Sequence, residues 1–417
     1  MVDNDIYNSA KNLETIKKRI STSYPNENGK VATAFLDALR ANGISPVRAA
    51  SLGWCVFNVL GMVDEKNLND LERKDIELIV KKMQEKTWGS ETRKVFVFTV
   101  KRLVSYAKQD IIVDLQEEQQ YSPEVAWLHP RKYMKKNENS TLEHRKGFSE
   151  EEIEKMLLVL PKLAQDQERD HLFILLTYES GARVGETIQL RLRDVEIDEK
   201  YNTAFLLFKS SGKSKPRKVP IILSYRRLVD YMAKHPLRTN PESFLFYSNR
   251  AVQNKISYTH ISHLIRKLCE KAAIRYRSIY KLRHSRAQNL LSSSTAINTV
   301  SKLLGHSNLK TTAVYLSAMD SDVIKAVRKE RGLAVEDDKE TKKLELKTCL
   351  RCKRVEDPLA DRCGACGTFL TQAVALRYEK VRESYKKKKY SVEVKDLRRD
   401  FDELKSLVLS LKNDLKK

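Results

Sequence analysis

Four cysteines within a span of 18 residues constrain the fold of this chain more tightly than any other feature of its sequence. They form two pairs, Cys349/Cys352 and Cys363/Cys366, and two residues separate the members of each pair. Each pair can present two thiolates to one ion, and four thiolates suit tetrahedral zinc. The sequence therefore predicts a zinc ribbon over residues 348–370 with a structural metal. An iron site or a redox-active dithiol pair is the alternative.

The net charge of the chain narrows its expected partners. The sequence has 417 residues, with 78 Lys and Arg against 55 Asp and Glu, which gives a net charge of +23. A balance this basic favours a polyanion, because each cation set against a phosphate releases a condensed counterion. Nucleic acid is therefore the expected partner, and a basic but otherwise ordinary enzyme is the alternative.

Targeting signals and common nucleotide motifs are not found in the sequence. No stretch approaches 18 consecutive apolar residues, so no membrane span is expected. The polar N-terminus lacks an apolar signal core, which predicts a protein that stays in the cytoplasm. There is no P-loop, no GxGxxG after a strand and no HExxH, so the basic charge needs another explanation than nucleotide hydrolysis.

Hydrophobic periodicity divides the chain into segments. Apolar residues at three- and four-residue spacing predict a helical bundle over residues 31–115, and a linker is expected at 116–146. Residues 147–332 combine helical patterns with strand-like pieces, of which TAFLLFK and RKVPIIL predict a hairpin. The remaining segments are a polar N-terminus (1–30), a charged linker (333–347) and a C-terminal helical segment (371–417).

The C-terminal segment carries a heptad pattern. Apolar residues follow one another at alternating spacings of three and four: Val394, Leu397, Phe401, Leu404, Val408, Leu411 and Leu415. This pattern predicts a coiled-coil seam of about three heptads. The seam could be covered by a partner helix, in this chain or a second copy, or by the domain to which the helix belongs.

Three short segments of residues 147–332 contain residue types that suit phosphate chemistry. They are SGARVGE (180–186), YKLRH (280–284) and LLGHSNLKTTAVY (303–315). In this order and spacing they resemble the first arginine box, the second arginine box and the histidine-and-nucleophile box of the tyrosine recombinases, the phage integrase and Xer family. The resemblance covers roughly residues 148–330 of the sequence.

The resemblance implies a fold that is mainly α-helical with a small β-sheet. It implies an N-terminal helical core-binding domain and a mixed α/β catalytic domain, which close around double-stranded DNA as a C-shaped clamp. It further implies a homo-oligomer, a tetramer on two DNA sites, and a cleavage step that needs neither ATP nor a metal. The zinc ribbon lies outside the family's usual core, so its role is not inherited.

The family's reaction gives each motif residue an expected role. Tyr315 would supply the attacking hydroxyl, and because the unperturbed pKa of tyrosine is near 10, it must lose a proton as it attacks. Arg183 and Arg283 would hold the two non-bridging oxygens, since the guanidinium fork matches phosphate and keeps its charge. His306 would donate a hydrogen bond to a phosphate oxygen. The product would be a 3′-phosphotyrosine.

A lysine on the hairpin after the first arginine box protonates the leaving 5′ oxygen in this family. We assign this role to Lys209, because it ends the strand TAFLLFK just before the turn. Lys213 and Lys215 lie in the same hairpin and are the alternatives.

The chain departs from the family at Tyr280. The family usually has histidine three residues before the second arginine, and here that position is tyrosine. A phenol can donate a hydrogen bond to phosphate, but it is a poor proton acceptor at neutral pH. His284, which follows Arg283, is expected to be structural.

These observations predict a site-specific DNA recombinase of the integrase type. An alternative with the same chemistry is a Xer-like resolvase of DNA dimers. A different class is a non-catalytic zinc-ribbon DNA-binding regulator, which the tyrosine at position 280 favours. A sequence-nonspecific topoisomerase is a further possibility, and it would relax supercoils in any plasmid.

Overall fold

The computed structural model describes residues 9–63, 66–112, 120–133, 146–210, 215–293, 295–308, 310–313, 344–384, 399 and 403–405. Its chain divides into two compact units, the first consisting of residues up to Lys146 and the second of nearly all residues from Gly147 onward. Tyr315 and Lys213 lie outside the described residues, as does most of the predicted heptad segment. None of the described helices is long and apolar enough to cross a lipid bilayer.

The first unit is a bundle of α-helices. The α-helices described in it are α1 (Ser9–Ser23), α2 (Glu27–Ala41), α3 (Pro46–Leu60), α4 (Arg73–Glu85), α5 (Ser90–Gln109) and α6 (Pro123–Ala126). The Ser45 side chain caps α3 by accepting a hydrogen bond from the Arg48 backbone N–H. The apolar faces meet in one core around the buried Phe35 and Phe96. Burial of such side chains contributes about 1.5–3 kcal/mol each, so packing holds this unit together.

Two segments of the first unit differ from what periodicity predicts. Helix α1 lies in the segment expected to be merely polar, and it buries Leu13 and Ile20. Residues 121–133 lie in the expected linker, but Val125 and Leu128 are fully buried in the core of the unit. Each segment is mostly polar and contributes only a few residues to the core. So few apolar residues do not form a periodic pattern that the sequence could reveal.

The second unit combines helices with a small sheet. Its described α-helices are α7 (Glu150–Val159), α8 (Gln167–Ser180), α9 (Val184–Ile188), α10 (Tyr225–Lys234), α11 (Tyr258–Lys271), α12 (Lys281–Ser292), α13 (Ile297–Leu304) and α14 (Lys310–Ala313). Helix α8 is buried along its length from Arg169 to Ser180. A helix that is buried on all sides is the central element of its domain.

Three antiparallel strands form the sheet of the second unit in the order β1-β2-β3. They are β1 (Val195–Asp198), β2 (Thr203–Phe208) and β3 (Arg217–Ile221). Alternate residues of β2 are buried, and the central one, Leu206, pairs with Val219 of β3. A separate ribbon consists of β4 (Tyr247–Ser248) and β5 (Ala251–Lys255). The predicted hairpin is therefore confirmed, and so is the fold class, mainly α with a small sheet.

Residues 344–370, the cysteine module, form a small lobe of the second unit. Strands β6 (Lys347–Thr348) and β7 (Val355–Glu356) pair antiparallel in it, and residues 372–384 after it are helical. The module is attached to α10 by an ion pair in which Arg227 and Asp357 are 3.0 Å apart. Asp357 is only 7% exposed, so this contact is largely shielded from solvent.

Candidate active site and metal centre

The first arginine box begins where helix α8 ends. Gly181 terminates the helix with φ near +60°, a conformation that glycine adopts without steric cost. A Cβ atom at this position would lie 2.7 Å from the Leu304 side chain, so the close approach of α8 to the end of α13 requires glycine. Arg183 then begins the short helix α9 as its N-cap residue.

Glu186 folds back onto the start of α9. One oxygen of its carboxylate accepts a hydrogen bond from the Arg183 backbone N–H at 2.8 Å. Its other oxygen lies 3.6 Å from the Arg183 guanidinium. The Glu186 side chain is 8% exposed and that of Arg183 is 22% exposed. The pair orients the first arginine, and part of its side chain stays exposed to solvent.

Arg283 joins the three motif segments. Its Nη1 donates to the Gly181 carbonyl at 2.8 Å, and its Nη2 donates to the Leu304 carbonyl at 2.9 Å. These carbonyls belong to the first and third segments, and Arg283 belongs to the second. Burial, followed by the charge of Arg183, lowers the pKa of Arg283 to about 10. The guanidinium is therefore still cationic at neutral pH.

His306 lies two residues after the end of helix α13. Its Nδ1 is 2.6 Å from the hydroxyl oxygen of Thr312, and the residue is 8% exposed. Burial first, and then the charges of Arg283 and Arg183, lower the pKa of His306 to about 4, so the imidazole is neutral at pH 7. When Nδ1 accepts a hydrogen bond from the Thr312 hydroxyl, the ring proton lies on Nε2, which can donate to an anionic oxygen.

Tyr280 stands at the surface beside the second arginine. It is 41% exposed, and its ring packs edge-on against His284 with centroids 5.1 Å apart. Burial, and then the charge of Lys281, lowers the pKa of His284 to about 4. An electrostatic interaction also links Tyr280 to Arg283. The phenol therefore lies next to the arginine, as its position in the sequence suggests.

The lysines of the β2–β3 connection differ in their surroundings. Lys209 follows β2, and its Nζ lies 3.4 Å from Asp194, whose side chain is only 9% exposed. Lys215 precedes β3, and its backbone N–H donates to the carbonyl of Gly305 at 3.3 Å. The start of β3 therefore lies against the loop that carries His306.

The structure thus brings Arg183, Tyr280, Arg283 and His306 together. Sequence reasoning missed Arg217, which is paired with Glu186 and whose charge also lowers the pKa of Arg283. Arg183, Arg217 and Arg283 are called the arginine cluster below. Thr312, the partner of His306, was missed as well. Most arginines at the start of a strand and most threonines in a helix are solvated or structural. The sequence therefore gives no sign that these two residues belong to the site.

The four cysteines predicted as metal ligands converge. Their sulfur atoms all lie within 4.8 Å of one another. Cys349 is 3.5 Å from Cys366, and Cys352 is 3.4 Å from Cys363, so each close contact joins the two sequence pairs. In a tetrahedral zinc site with Zn–S bonds of about 2.3 Å, neighbouring sulfurs would be about 3.8 Å apart. The four thiol groups therefore fit a single metal ion.

Residues 146–321 match the model of the phage integrase family. Among curated proteins, the chain is 31% identical over 188 residues to tyrosine recombinase XerA of Thermococcus kodakarensis, covering 45% of this chain and 63% of that protein. It is 33% identical over 180 residues to a tyrosine recombinase of Pseudothermotoga lettingae, covering 43% and 58%. The matched region thus spans less than two thirds of these relatives' own length.

Solved structures share the fold of the chain. The XerH site-specific recombinase bound to a palindromic difH substrate, a post-cleavage complex, has a TM-score of 0.54 at 15% identity, covering 78% of this chain and 97% of that one. The Tn1549 transposon integrase in complex with circular intermediate DNA has a TM-score of 0.55 at 14% identity, covering 72% and 99%. The match to a tyrosine-recombinase fold extends beyond the region that the family model covers.

Proposed function

We propose that this protein, whose residues 146–321 match the model of the phage integrase family, is a site-specific tyrosine recombinase. It cleaves and rejoins DNA through a 3′-phosphotyrosine intermediate. The observation that carries the proposal is the pair of hydrogen bonds by which Arg283 joins all three motif segments at one point. Such a junction supports a site in which arginines of two segments and the histidine of the third surround one position.

Arg183 and Arg283 hold the scissile phosphate. Two guanidinium groups can each donate to a non-bridging oxygen, and their charge opposes the negative charge that increases as the nucleophile attacks. The lowered pKa of Arg283, about 10, still keeps it charged across the physiological range. Neutral His306 donates from Nε2 to a phosphate oxygen, and the Tyr280 hydroxyl donates as well.

Tyr315 is the nucleophile. Its phenolic oxygen attacks phosphorus as its proton passes to solvent, and the bond between phosphorus and the 5′ oxygen breaks. The 5′ oxygen takes a proton from the general acid and departs as a hydroxyl. The 3′-phosphotyrosine keeps the energy of the broken ester, so a 5′ hydroxyl from a second strand can reverse the step without ATP or a metal.

The general acid is a lysine of the β2–β3 connection. Lys209 is the choice made from the sequence, but its ammonium has a competing partner in the nearly buried Asp194. Lys215 is fixed by its backbone beside the loop of His306. Lys213 is in the same connection and lies outside the described residues. Of the two described lysines, these surroundings favour Lys215 over Lys209, and Lys213 stays an alternative from the sequence.

The cysteine module binds zinc in a structural role. Cys349, Cys352, Cys363 and Cys366 would hold the ion with four thiolates, which closes the coordination sphere and leaves no position for substrate. The ion would therefore supply folding energy to the module rather than chemistry to the DNA.

Double-stranded DNA is the proposed substrate, and a tetramer on two DNA sites is the proposed active assembly. The first unit would clamp the duplex, and the net charge of +23 would hold it through phosphate contacts. The cysteine module and the C-terminal segment would help assembly. Deleting residues 340–417 without loss of synapsis would exclude that role. We place the reaction in the cytoplasm.

Trapping of a covalent adduct tests the proposed function. A suicide substrate carries a nick close to the cleavage site, so the short 5′ fragment diffuses away after attack and the adduct accumulates. The wild-type protein should form a protein–DNA adduct on its own site, and Tyr315→Phe should not. Binding to the site without any adduct would support the non-catalytic regulator instead. Relaxation of any supercoiled plasmid would support the topoisomerase.

A Xer-like resolvase is the second candidate, because the relative from Thermococcus kodakarensis is named tyrosine recombinase XerA. The two candidates differ in substrate and share the chemistry. We expect an integrase to join two separate DNA molecules that carry different sites. A resolvase would convert a plasmid dimer with two identical sites into monomers, and comparing the two substrates side by side distinguishes them.

A further inference from the structure

We propose that Arg217 is a positioning residue that neutralises Glu186, so that Arg183 keeps its charge available for the phosphate. The proposal rests on the proposed function, because it assigns Arg183 to the scissile phosphate. Arg217 itself would not touch DNA. It would act through a carboxylate that otherwise binds Arg183.

All three nitrogens of the Arg217 guanidinium have partners. Nη2 lies 2.7 Å from one oxygen of Glu186, and Nη1 lies 3.3 Å from the other. Nε donates to the carbonyl of Leu303 at 2.9 Å. The group also lies 4.5 Å above the ring of Phe208, and the side chain is only 5% exposed. Arg217 is therefore held in one orientation, with its charge directed at Glu186.

The two arginines bind Glu186 unequally. Arg217 is 2.7 Å from the carboxylate, whereas the Arg183 guanidinium is 3.6 Å away. A buried carboxylate needs a close cationic partner, because an unpaired buried charge is costly. Loss of Arg217 would leave Glu186 paired with the Arg183 guanidinium, which it would then draw inward. The charge of Arg183 would then be neutralised by Glu186 and would no longer stabilise the phosphate.

Arg217 also fixes the end of helix α13. It binds the carbonyl of Leu303, and Arg283 binds the carbonyl of the next residue, Leu304. A Cβ atom at Gly305 would lie 2.9 Å from the Arg217 side chain, so the loop passes directly over it. One side chain thus contacts the first arginine box, through Glu186, and the turn that leads to His306.

A simpler explanation is that Arg217 only stabilises the fold. The two explanations differ in what a second substitution does. If Arg217 acts by neutralising Glu186, then Glu186→Gln should compensate for its loss, because the amide no longer attracts Arg183. If Arg217 only stabilises the fold, the second substitution removes a further contact and compensates nothing. Arg277 provides a matched control, since it pairs with Glu152 at 2.9 Å and stacks over Phe148.

The first experiment measures single-turnover cleavage of the nicked suicide substrate by the full chain. We expect Arg217→Met to slow cleavage roughly 10²-fold, the size of losing one preorganised donor. Addition of Glu186→Gln should recover at least about tenfold of that loss. A methylphosphonate at the scissile position lacks one anionic oxygen, so on it Arg217→Met should lose much less. Arg277→Met should cleave both substrates like the wild type.

The second experiment does not depend on DNA cleavage. Phenylglyoxal modifies accessible arginines, and peptide mass mapping follows the modification of Arg183 over time. The rate should fall severalfold in Arg217→Met, return in the double variant and stay unchanged in Arg277→Met.

Equal rates in all variants would overturn the proposal, even if the wild-type protein cuts no DNA. If the wild type cleaves but Arg217→Met is equally slow on both substrates and is not rescued, Arg217 is structural. Absence of a wild-type adduct counts against the proposed function alone.

Discussion

The arginine cluster and the cysteine module are held together by different forces. The cluster lies among buried helices, where Arg283 is 1% exposed and bonded to two backbone carbonyls. In the cysteine module, by contrast, Leu350 is 83% exposed and Leu346 and Val355 are each 37% exposed. A lobe this small cannot bury enough apolar surface to fold by packing, which is why such lobes usually depend on metals or disulfides. The cluster should therefore be insensitive to metal, and the module should depend on it.

Substitution of the arginines proposed to hold the scissile phosphate should have the largest effect on activity. Arg183→Gln removes a positive charge, and Arg283→Lys removes the planar pair of guanidinium donors. Each substitution should therefore slow adduct formation by about 10³-fold. DNA binding, measured by gel shift at constant salt, should weaken less than about tenfold, because most of the affinity comes from contacts spread along the duplex. Parallel losses of binding and cleavage would show that these arginines only hold DNA. Thermal unfolding checks that the variants remain folded.

Replacement of the hairpin lysines should identify the general acid. Alanine at the acid should slow cleavage by about 10²–10⁴-fold. A substrate with sulfur in place of the leaving 5′ oxygen should restore the rate, because a thiolate departs without a proton. We expect this behaviour at Lys213 or Lys215 and a smaller loss at Lys209, whose ammonium contacts Asp194. A sulfur-rescued defect at Lys209 alone would restore the assignment made from the sequence.

Removal of the metal should affect the cysteine module and spare the arginine cluster. A zinc chelator, or Cys363→Ser, should make residues 344–370 at least about tenfold more sensitive to protease, because the folding energy of such a lobe comes from the ion. Protease resistance of helix α8 and adduct formation should persist. Cys269→Ala, at a buried thiol of α11, is the control that should leave the module resistant. Metal analysis of the intact protein should find about one zinc per chain.

How much the sequence could predict differs between the two regions. The cysteine module was predictable because ligand spacing is local, and the four sulfurs converge as expected. The β2–β3 hairpin was predictable because strand alternation is local as well. Arg217 was not predictable, because its partners Glu186 and Leu303 are distant in sequence. Thr312 was not predictable, because spacing does not reveal its buried contact with His306. The packing of residues 121–133 was missed because its apolar residues are few.

The arginine cluster should also leave a pH signature through His306. Its pKa is lowered from 6.5 to about 4, first by burial and then by the adjacent arginines. Between these two values the unfolded chain binds a proton that the folded chain does not. The contribution of His306 to the free energy of unfolding should therefore be fully present above pH 6.5. It should decrease as the pH is lowered toward 4.

His306→Gln removes this proton uptake, so the fall in stability with acid should be shallower in the variant. The difference should be at most about 1.4 kcal/mol per pH unit, the limit for one proton. Urea unfolding between pH 4 and 6.5 measures it, with the metal removed so that acid release of the ion adds nothing. His263→Gln, at an exposed position, serves as the control and should follow the wild type. Identical slopes for wild type and His306→Gln would mean that the imidazole is protonated in the folded protein, and that the arginines do not hold it neutral for phosphate binding.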